Sequence, residues 1–269
     1  MTKQRLDTLL VDLNLCDSRQ QAQRLIRAGE VKVNQQVIDK PGTEVDRLAE
    51  IQLQQKPKYV SRGGEKLAKA LEVFKISVEG RICLDGGIST GGFTDCLLQA
   101  GAKRVYGVDV GYGQVAWSLR QDDRVTLKER TNFRYLTPAD LYGEENLADL
   151  GVMDLSFISL KKVLEPLWNL LVLPKEVILL VKPQFEVGRS RVGKKGVVRN
   201  PKDQAEAIFA VLTTAEQVGW KYCGLTWSPV TGPAGNIEYL LWLSSEGIAE
   251  IPDLDMLLRV TNTAIAHFK

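Results

Sequence analysis

From Arg81 onward, apolar runs alternate with stretches of helical periodicity. The runs fall near residues 81–85, 104–109, 125–128, 151–155, 176–182, 222–227 and 237–243, with helical patterns at Leu160–Leu171 and Ala205–Val218 among them. Val177-Ile-Leu-Leu-Val181 is apolar at every position, the pattern of a strand buried on both faces. This alternation predicts an α/β domain: a mostly parallel, Rossmann-like sheet between helices, with its last strand antiparallel. Ligands of such sheets bind beyond the strand C-termini, where the strand order reverses.

The first sixty residues follow a different rhythm. Leu6, Leu9, Leu10 and Leu13 recur at helical spacing, Ser18 suits an N-cap for a second helix, and Gly29 suits its end. Val31, Val33, Val37, Ile51 and Leu53 alternate as short strands around the turn Asp39-Lys-Pro-Gly42. Residues 1–58 therefore read as a small α+β domain. Gln54–Gly64 is polar and broken by Pro57 and two glycines, which reads as a linker occupying 59–64. A helix is expected from Glu65, with Leu67, Ala70, Leu71 and Phe74 inward, opening a domain over 65–269.

Composition narrows the chemistry. The chain has 269 residues, a net charge of +2, and no apolar stretch near the ~18 residues a membrane span needs. No apolar run follows Met1, so a cytoplasmic protein is expected. The four cysteines form no C-x-x-C pair and read as buried thiols. His267 is the only histidine, which argues against histidine triads and multi-histidine metal sites. Catalysis must rest on Lys, Asp, Glu, Ser or Tyr.

Candidate chemistry concentrates at strand ends. Asp85-Gly-Gly-Ile-Ser-Thr-Gly-Gly-Phe-Thr-Asp95 follows an apolar run and opens onto a helical pattern. It reads as a strand, a tight glycine turn and a helix start, where backbone N–H groups face a ligand. Asp109 ends the next strand, where an acid receives ribose hydroxyls, so an adenosine-containing cofactor is expected. Asp154 and Lys182 end two further strands, and Glu238 starts the last. If that strand runs backwards, all three meet at one rim, with Lys66 within reach. A lysine ending a buried strand needs a partner, because its ammonium forfeits hydration. A structural ion-pair network would use the same residues; their place at the ligand rim favours catalysis.

Two basic features suit RNA. Arg19, Arg24 and Arg27 share one arc of the second predicted helix with Gln20 and Gln23, and no acid lies between Asp17 and Glu30. The loop Gly188–Gly196, with Arg199, is basic and glycine-rich beside Lys182. A solvated helix face and a mobile surface loop would carry the same residues.

Several motifs, in order, are similar to the TlyA family: the Asp85–Asp95 run, Gly107-Val-Asp-Val-Gly-Tyr-Gly-Gln-Val-Ala-Trp117, Glu129-Arg-Thr-Asn132, Lys182-Pro-Gln-Phe-Glu186 and Gly193-Lys-Lys-Gly-Val-Val-Arg-Asn-Pro201. These are FtsJ-like ribosomal RNA 2′-O-methyltransferases, also known as haemolysin A. Arg5-Leu-Asp7, Ser18-Arg19 and Gly29-Glu-Val-Lys-Val-Asn34 resemble the S-four-type RNA-binding domain that the family carries. The resemblance spans nearly the whole chain. It implies a Rossmann-like methyltransferase domain, S-adenosylmethionine as cofactor, and ribosomal RNA or ribosomal subunits as partner, methylated at a cytidine ribose. It further implies a monomer or weak dimer that needs no membrane and no metal.

The family's Lys–Asp–Lys–Glu tetrad falls on Lys66, Asp154, Lys182 and Glu238. Its methyl-donor loop falls on Asp85, Gly87, Ser89, Thr90, Gly91, Gly92 and Phe93, its ribose acid on Asp109, and its adenine contact on Asn132. RNA contacts are expected at Arg5, Arg19, Arg24, Arg27 and Lys32, and at Arg189, Arg191, Lys194 and Lys195. Gly86 and Ile88 depart from the family pattern, which leaves the stiffness of the donor loop open.

Three other readings have their own signatures. An NAD-dependent dehydrogenase would share the sheet and Asp109, but the turn lacks G-x-G-x-x-G. A membrane-damaging toxin calls for a strongly apolar segment that the chain lacks. An RNA-binding protein with a dead methyltransferase fold would show a broken tetrad or donor loop, and both are intact.

Overall fold

The computed structural model describes residues 3–53, 57–247 and 250–269. The chain divides into two compact units at the Lys58–Tyr59 junction.

In the first unit, β1 (Lys3–Arg5) runs into α1 (Leu6–Asp12), followed by α2 (Arg19–Arg27). Ser18 caps α2 by accepting a hydrogen bond from the Gln21 N–H, and Gly29 takes a left-handed φ of +70° just past its end. Next come β2 (Val31–Val33), β3 (Gln36–Val37), β4 (Glu44–Asp46) and β5 (Ile51–Leu53). β2 pairs antiparallel with β3 and β5, while β4 pairs with β1. The β1–β4 pair has no apolar alternation to announce it. Leu6, Leu9, Leu10, Ala22, Ile26 and Val31 form the core. Leu13 does not join them: α1 stops at Asp12, and Leu13 is 46% exposed.

Asp7 is fully buried, and five donors surround it, the Thr8 hydroxyl the most distant at 3.4 Å. Arg5 grips it with Nε at 3.1 Å and Nη2 at 3.0 Å, Arg19 Nε lies at 3.0 Å, and Gln23 Nε2 at 2.8 Å. These hydrogen bonds, the Arg5 pair foremost, hold its carboxyl far below the ordinary range. The basic arc of α2 therefore does have an acid, supplied by α1.

The second unit opens with α3 (Gly63–Phe74), β6 (Ile82–Gly86), α4 (Gly92–Gln99) and β7 (Arg104–Val108). Then come α5 (Trp117–Arg120), β8 (Val125–Lys128), α6 (Pro138–Tyr142), β9 (Ala148–Met153) and α7 (Leu164–Leu170). It closes with β10 (Leu171–Val181), α8 (Pro183–Glu186), α9 (Pro201–Val218), β11 (Lys221–Trp227), β12 (Tyr239–Ser244) and α10 (Leu254–His267). The seven strands lie in the order β11-β12-β10-β9-β6-β7-β8. β12 is antiparallel to both neighbours, and β6 to β10 run parallel. The order turns back between β6 and β9, which places a ligand crevice there.

Period-two alternation builds the two faces. Val177, Leu179 and Val181 pack with residues of α7, α9 and α10, while Ile178 and Leu180 pack with residues of α3 and α4. None of the five is more than 1% exposed. Arg81 ties the opposite edge of the sheet, pairing with Asp149 at 2.9 Å and Glu176 at 2.5 Å.

Residues 59–64, expected as a linker, pack into the second unit instead. Tyr59 is buried against Gly64, the Val60 N–H donates to Asp95 Oδ2 at 2.8 Å, and α3 already begins at Gly63. Glycines that permit close packing look, in composition, like glycines that permit flexibility. Residues 54–56 of the expected linker segment lie outside the described residues. None of the four cysteines forms a disulfide, and Cys16, Cys83 and Cys96 are buried.

Asp7→Asn should leave the Arg5 and Arg19 guanidiniums unpaired at the first unit. The expected loss is about 2–3 kcal/mol in that unit, read as an earlier thermal transition at pH 7. The loss should shrink as pH falls below about 4, where Asp7 of the unfolded chain is protonated and the native carboxylate gives up its advantage.

Candidate active site

β6 ends at Gly86, and the chain turns into α4 through left-handed backbone at Gly87 (φ +84°), Ser89 (φ +50°) and Gly91 (φ +97°). A side chain at Gly87 would place its Cβ 2.7 Å from the Asp154 carbonyl oxygen. The Asp154 N–H donates to Gly86 O at 3.0 Å. The turn thus lies flat on the end of β9, and this contact requires glycine. At Gly86 a Cβ would meet Met153 Sδ at 2.4 Å, and Ile88 is buried, so the two departures from the family pattern are packing choices.

Asp109 accepts the Ser89 N–H at 2.8 Å on Oδ2 and the Gly111 N–H at 2.7 Å on Oδ1. It therefore joins the glycine turn to the end of β7 and is held in one orientation. A cavity of about 370 Å³ opens beside it, with Gly87, Ser89, Asp109, Val110, Asn132, Phe133, Asp154 and Phe157 among its walls. A fixed carboxylate beside apolar walls fits a nucleoside, with the ribose at Asp109 and the base against Val110 and Phe133. The Asn132 side chain caps a short turn by accepting the Arg134 N–H at 3.2 Å.

Asp85 sits elsewhere than expected. It is fully buried beneath the turn and lines neither this cavity nor the adjoining one. Thr94 Oγ1 donates to its Oδ2 at 2.6 Å, and Oδ1 has no hydrogen-bond partner among the described residues. Burial pushes its carboxyl up to about 7. Its position supports the turn and the start of α4.

A second hollow, of about 270 Å³, is lined by Ser61, Arg62, Lys66, Thr90, Gly92, Phe93, Lys182, Pro233 and Glu238. Gly87, Ser89, Asp154 and Ser156 belong to both hollows and form their common wall. Here the three strand-end residues meet Lys66 of α3. Lys66 Nζ donates to Glu238 Oε2 at 2.6 Å and lies 3.9 Å from Asp154 Oδ2. Lys182 Nζ pairs with Asp154 Oδ1 at 2.6 Å, a contact of charge, while its aligned hydrogen bond goes to Ser156 Oγ at 2.9 Å. Two ammoniums and two carboxylates alternate around the pocket, and each side chain is at most 21% exposed. The backward run of β12 is what brings Glu238 to this rim.

Sequence reasoning passed over the stretch just after Asp154. Phe157 is 92% exposed at φ +63°, a conformation a bulky residue adopts only under constraint. Its ring lies 5.4 Å from that of Phe185, at the mouth of the donor cavity. Glu186 fixes this arrangement by accepting the Ser159 hydroxyl at 2.6 Å and the Leu160 N–H at 2.8 Å. The Ser-Phe pair after a strand-ending acid was the available signal.

The basic candidates divide into held and free. Arg5 and Arg19 are held by Asp7, whereas Arg24 and Arg27 are exposed and Lys32 is half-buried, none with a carboxylate partner among the described residues. In the loop after Lys182, Arg191 is committed to Glu206 and to Asp203 at 3.4 Å, while Arg189, Lys194 and Lys195 are exposed. The loop is fastened from below: Asn236 accepts the Val198 N–H at 3.0 Å and donates to Gly196 O at 2.8 Å. Gln204 joins in by donating to Val198 O at 2.7 Å.

Because the native carboxyl of Asp85 is raised, ionising it costs stability as pH climbs from about 4 to about 7. Asp85→Asn removes that cost while sparing the Thr94 hydrogen bond. The variant should be more stable than the parent by about 1–3 kcal/mol at pH 8 and equal to it below pH 4, as read from thermal unfolding against pH.

The chain is similar to known proteins along nearly its whole length. The FtsJ-like methyltransferase family matches residues 59–245, and the S4 domain matches residues 4–51. YqxC of Bacillus subtilis, provisionally named an rRNA methyltransferase, is 48% identical over 97% of this chain and 94% of its own. The 16S/23S rRNA (cytidine-2′-O)-methyltransferase TlyA of Mycobacterium tuberculosis is 48% identical over 90% of each chain. A solved structure from Streptococcus thermophilus with a provisional hemolysin name is 44% identical, covers 100% of this chain and 98% of its own, and superposes with a TM-score of 0.76. An S-adenosylmethionine dependent methyltransferase from Mesorhizobium loti shares the fold alone, at 14% identity, a TM-score of 0.51, and coverage of 68% of this chain and 100% of its own. With its glycine turn, its lysine–carboxylate pocket and an S4 domain ahead of them, the chain belongs to the TlyA family of FtsJ-like methyltransferases.

Proposed function

We propose that this protein transfers the methyl group of S-adenosylmethionine to the 2′-hydroxyl of a cytidine in ribosomal RNA. The observation that carries this reading is the common wall: Gly87, Ser89, Asp154 and Ser156 face both the nucleoside-sized cavity and the lysine–carboxylate pocket. When bound, S-adenosylmethionine supplies a methyl on a positively charged sulfur, electrophilic without a Lewis acid. Asp109 would hold its ribose, Asn132 and Phe133 would flank its base, and Gly87 and Ser89 would border its reactive end.

The chain's own residues do the remaining work. Lys182 binds the incoming 2′-hydroxyl and takes up the negative charge, or the proton, as its oxygen attacks. Asp154 fixes Lys182 and faces the donor cavity. Lys66, paired to Glu238, closes the other side of the pocket and holds the ribose. The exposed Phe157 ring, backed by Phe185, offers a face on which the cytosine can stack. Alignment of this kind supplies up to ~7–11 kcal/mol of a barrier in the best cases. The first unit adds affinity through Arg5, Arg19, Arg24, Arg27 and Lys32, and Arg189, Lys194 and Lys195 clamp the strand beside the pocket. The protein acts in the cytoplasm as a monomer or weak dimer, without a metal. Among the described residues no helix is long and apolar enough to cross a membrane.

The direct test is methyl transfer from labelled S-adenosylmethionine to purified ribosomal subunits, followed by mapping of the product. A modified cytidine ribose is expected; a methylated base would overturn the reading. Lys182→Ala should lose about 100-fold or more of the rate while keeping cofactor affinity, as single-turnover kinetics and calorimetry would report.

Arg24→Glu combined with Arg27→Glu should leave cofactor binding intact and weaken RNA binding. The slope of log affinity against log salt should flatten by about 2, one for each phosphate the protein no longer neutralises.

A further inference from the structure

The second unit presents an aromatic ridge that neither hollow uses. Tyr112 is 65% exposed and Tyr135 73%. The Arg130 guanidinium lies 4.1 Å from the centre of the Tyr112 ring, and that of Arg134 lies 5.2 Å from the centre of the Tyr135 ring. Between the two stacks lies a hollow of about 350 Å³, with Lys128, Arg130, Tyr135 and Asp140 in its lining. Tyr112, Arg130 and Tyr135 take no part in the wall of the donor cavity; Thr131 and Asn132 border both spaces and separate them.

Burial does not account for the ridge, since both rings stand mostly in water. Its rigidity does point to use. The Arg130 N–H donates to Gly111 O at 3.0 Å, the Thr131 N–H to Asp109 O at 2.9 Å, and the Gly113 N–H to Glu129 Oε1 at 2.8 Å. These bonds staple the turn carrying Tyr112 to the turn carrying Arg130. Arg130 itself is held at φ +55°, a strained conformation for a long side chain. Tyr135 stands on the short turn capped by Asn132. Lys128, Arg130 and Arg134 outnumber Asp140 and Glu129, whose carboxylates are already engaged by Thr137 and by Arg120 with the Gly113 N–H. Fixed π faces interleaved with cations match the bases and phosphates of an unpaired strand.

We propose that this ridge is a stacking platform for single-stranded RNA adjoining the methylated nucleotide, an inference that rests on the RNA methyltransferase reading above. The test uses the full-length protein with Tyr112→Leu and Tyr135→Leu, and with Tyr112→Phe and Tyr135→Phe beside them. Binding to protein-free ribosomal RNA is followed by anisotropy, S-adenosylmethionine binding by calorimetry, and methyl transfer to ribosomal subunits for KM and kcat. Each Leu variant should weaken RNA binding and raise KM about 10-fold, the Phe variants should match wild type, and kcat and cofactor affinity should hold within about twofold. Leu variants that bind RNA as wild type does would overturn the proposal. So would a matching loss of cofactor affinity, which would make the ridge a lid on the donor. A loss seen with subunits but not with free RNA would make it a protein-binding surface and overturn it too. Failure of wild type to bind RNA would instead bring down the parent reading, and the ridge with it.

Discussion

Two ammoniums withdrawn from water at the end of a sheet set the terms for the rest of the second unit. Lys66 and Lys182 keep only 11% and 10% of their side-chain surface, so each must have a carboxylate within reach. Asp154 and Glu238 meet that demand, and Asp154 meets it for both lysines at once. Satisfying all four groups requires α3, β9, β10 and β12 to deliver their ends to one rim. In a sheet otherwise parallel in its middle, only a reversed strand can bring its first residue there.

The glycine turn obeys the same logic of enforced proximity. Gly87 lets the turn after β6 rest on the Asp154 backbone, and Asp109 anchors that turn to β7 through Ser89. The cavity beside Asp109 and the lysine–carboxylate pocket are therefore two sides of one layer of backbone. Gly87, Ser89, Asp154 and Ser156 face both spaces. The departures at Gly86 and Ile88 leave this intact, because both are absorbed by local packing.

Much of this was legible in the chain. Apolar runs located all seven strands of the large sheet to within a few residues, because burial on both faces leaves a continuous signal. Three of the rim residues were legible at the ends of apolar runs, Asp154 and Lys182 closing theirs and Glu238 opening the last, with Lys66 within reach from the helix before the first strand. What escaped were features decided by distant partners. Asp7 holds Arg19 on an arc of α2 that looked free of acid, since the two lie 12 residues apart. Asp85 reads as a ligand residue but is sealed beneath the turn it supports. The stretch 59–64 reads as flexible but is packed. Phe157 carries no periodic signal at all, because its importance lies in being left outside.

The salt link between Lys66 and Glu238 joins residues 172 positions apart. During synthesis, Lys66 emerges early and has to wait for almost the entire second unit before its carboxylate arrives. A nascent chain that stops short of β12 holds a lone cation at the edge of a nearly finished sheet. Closure of the pocket therefore waits on β12, and a chain ended before that strand lacks the carboxylate that pairs with Lys66.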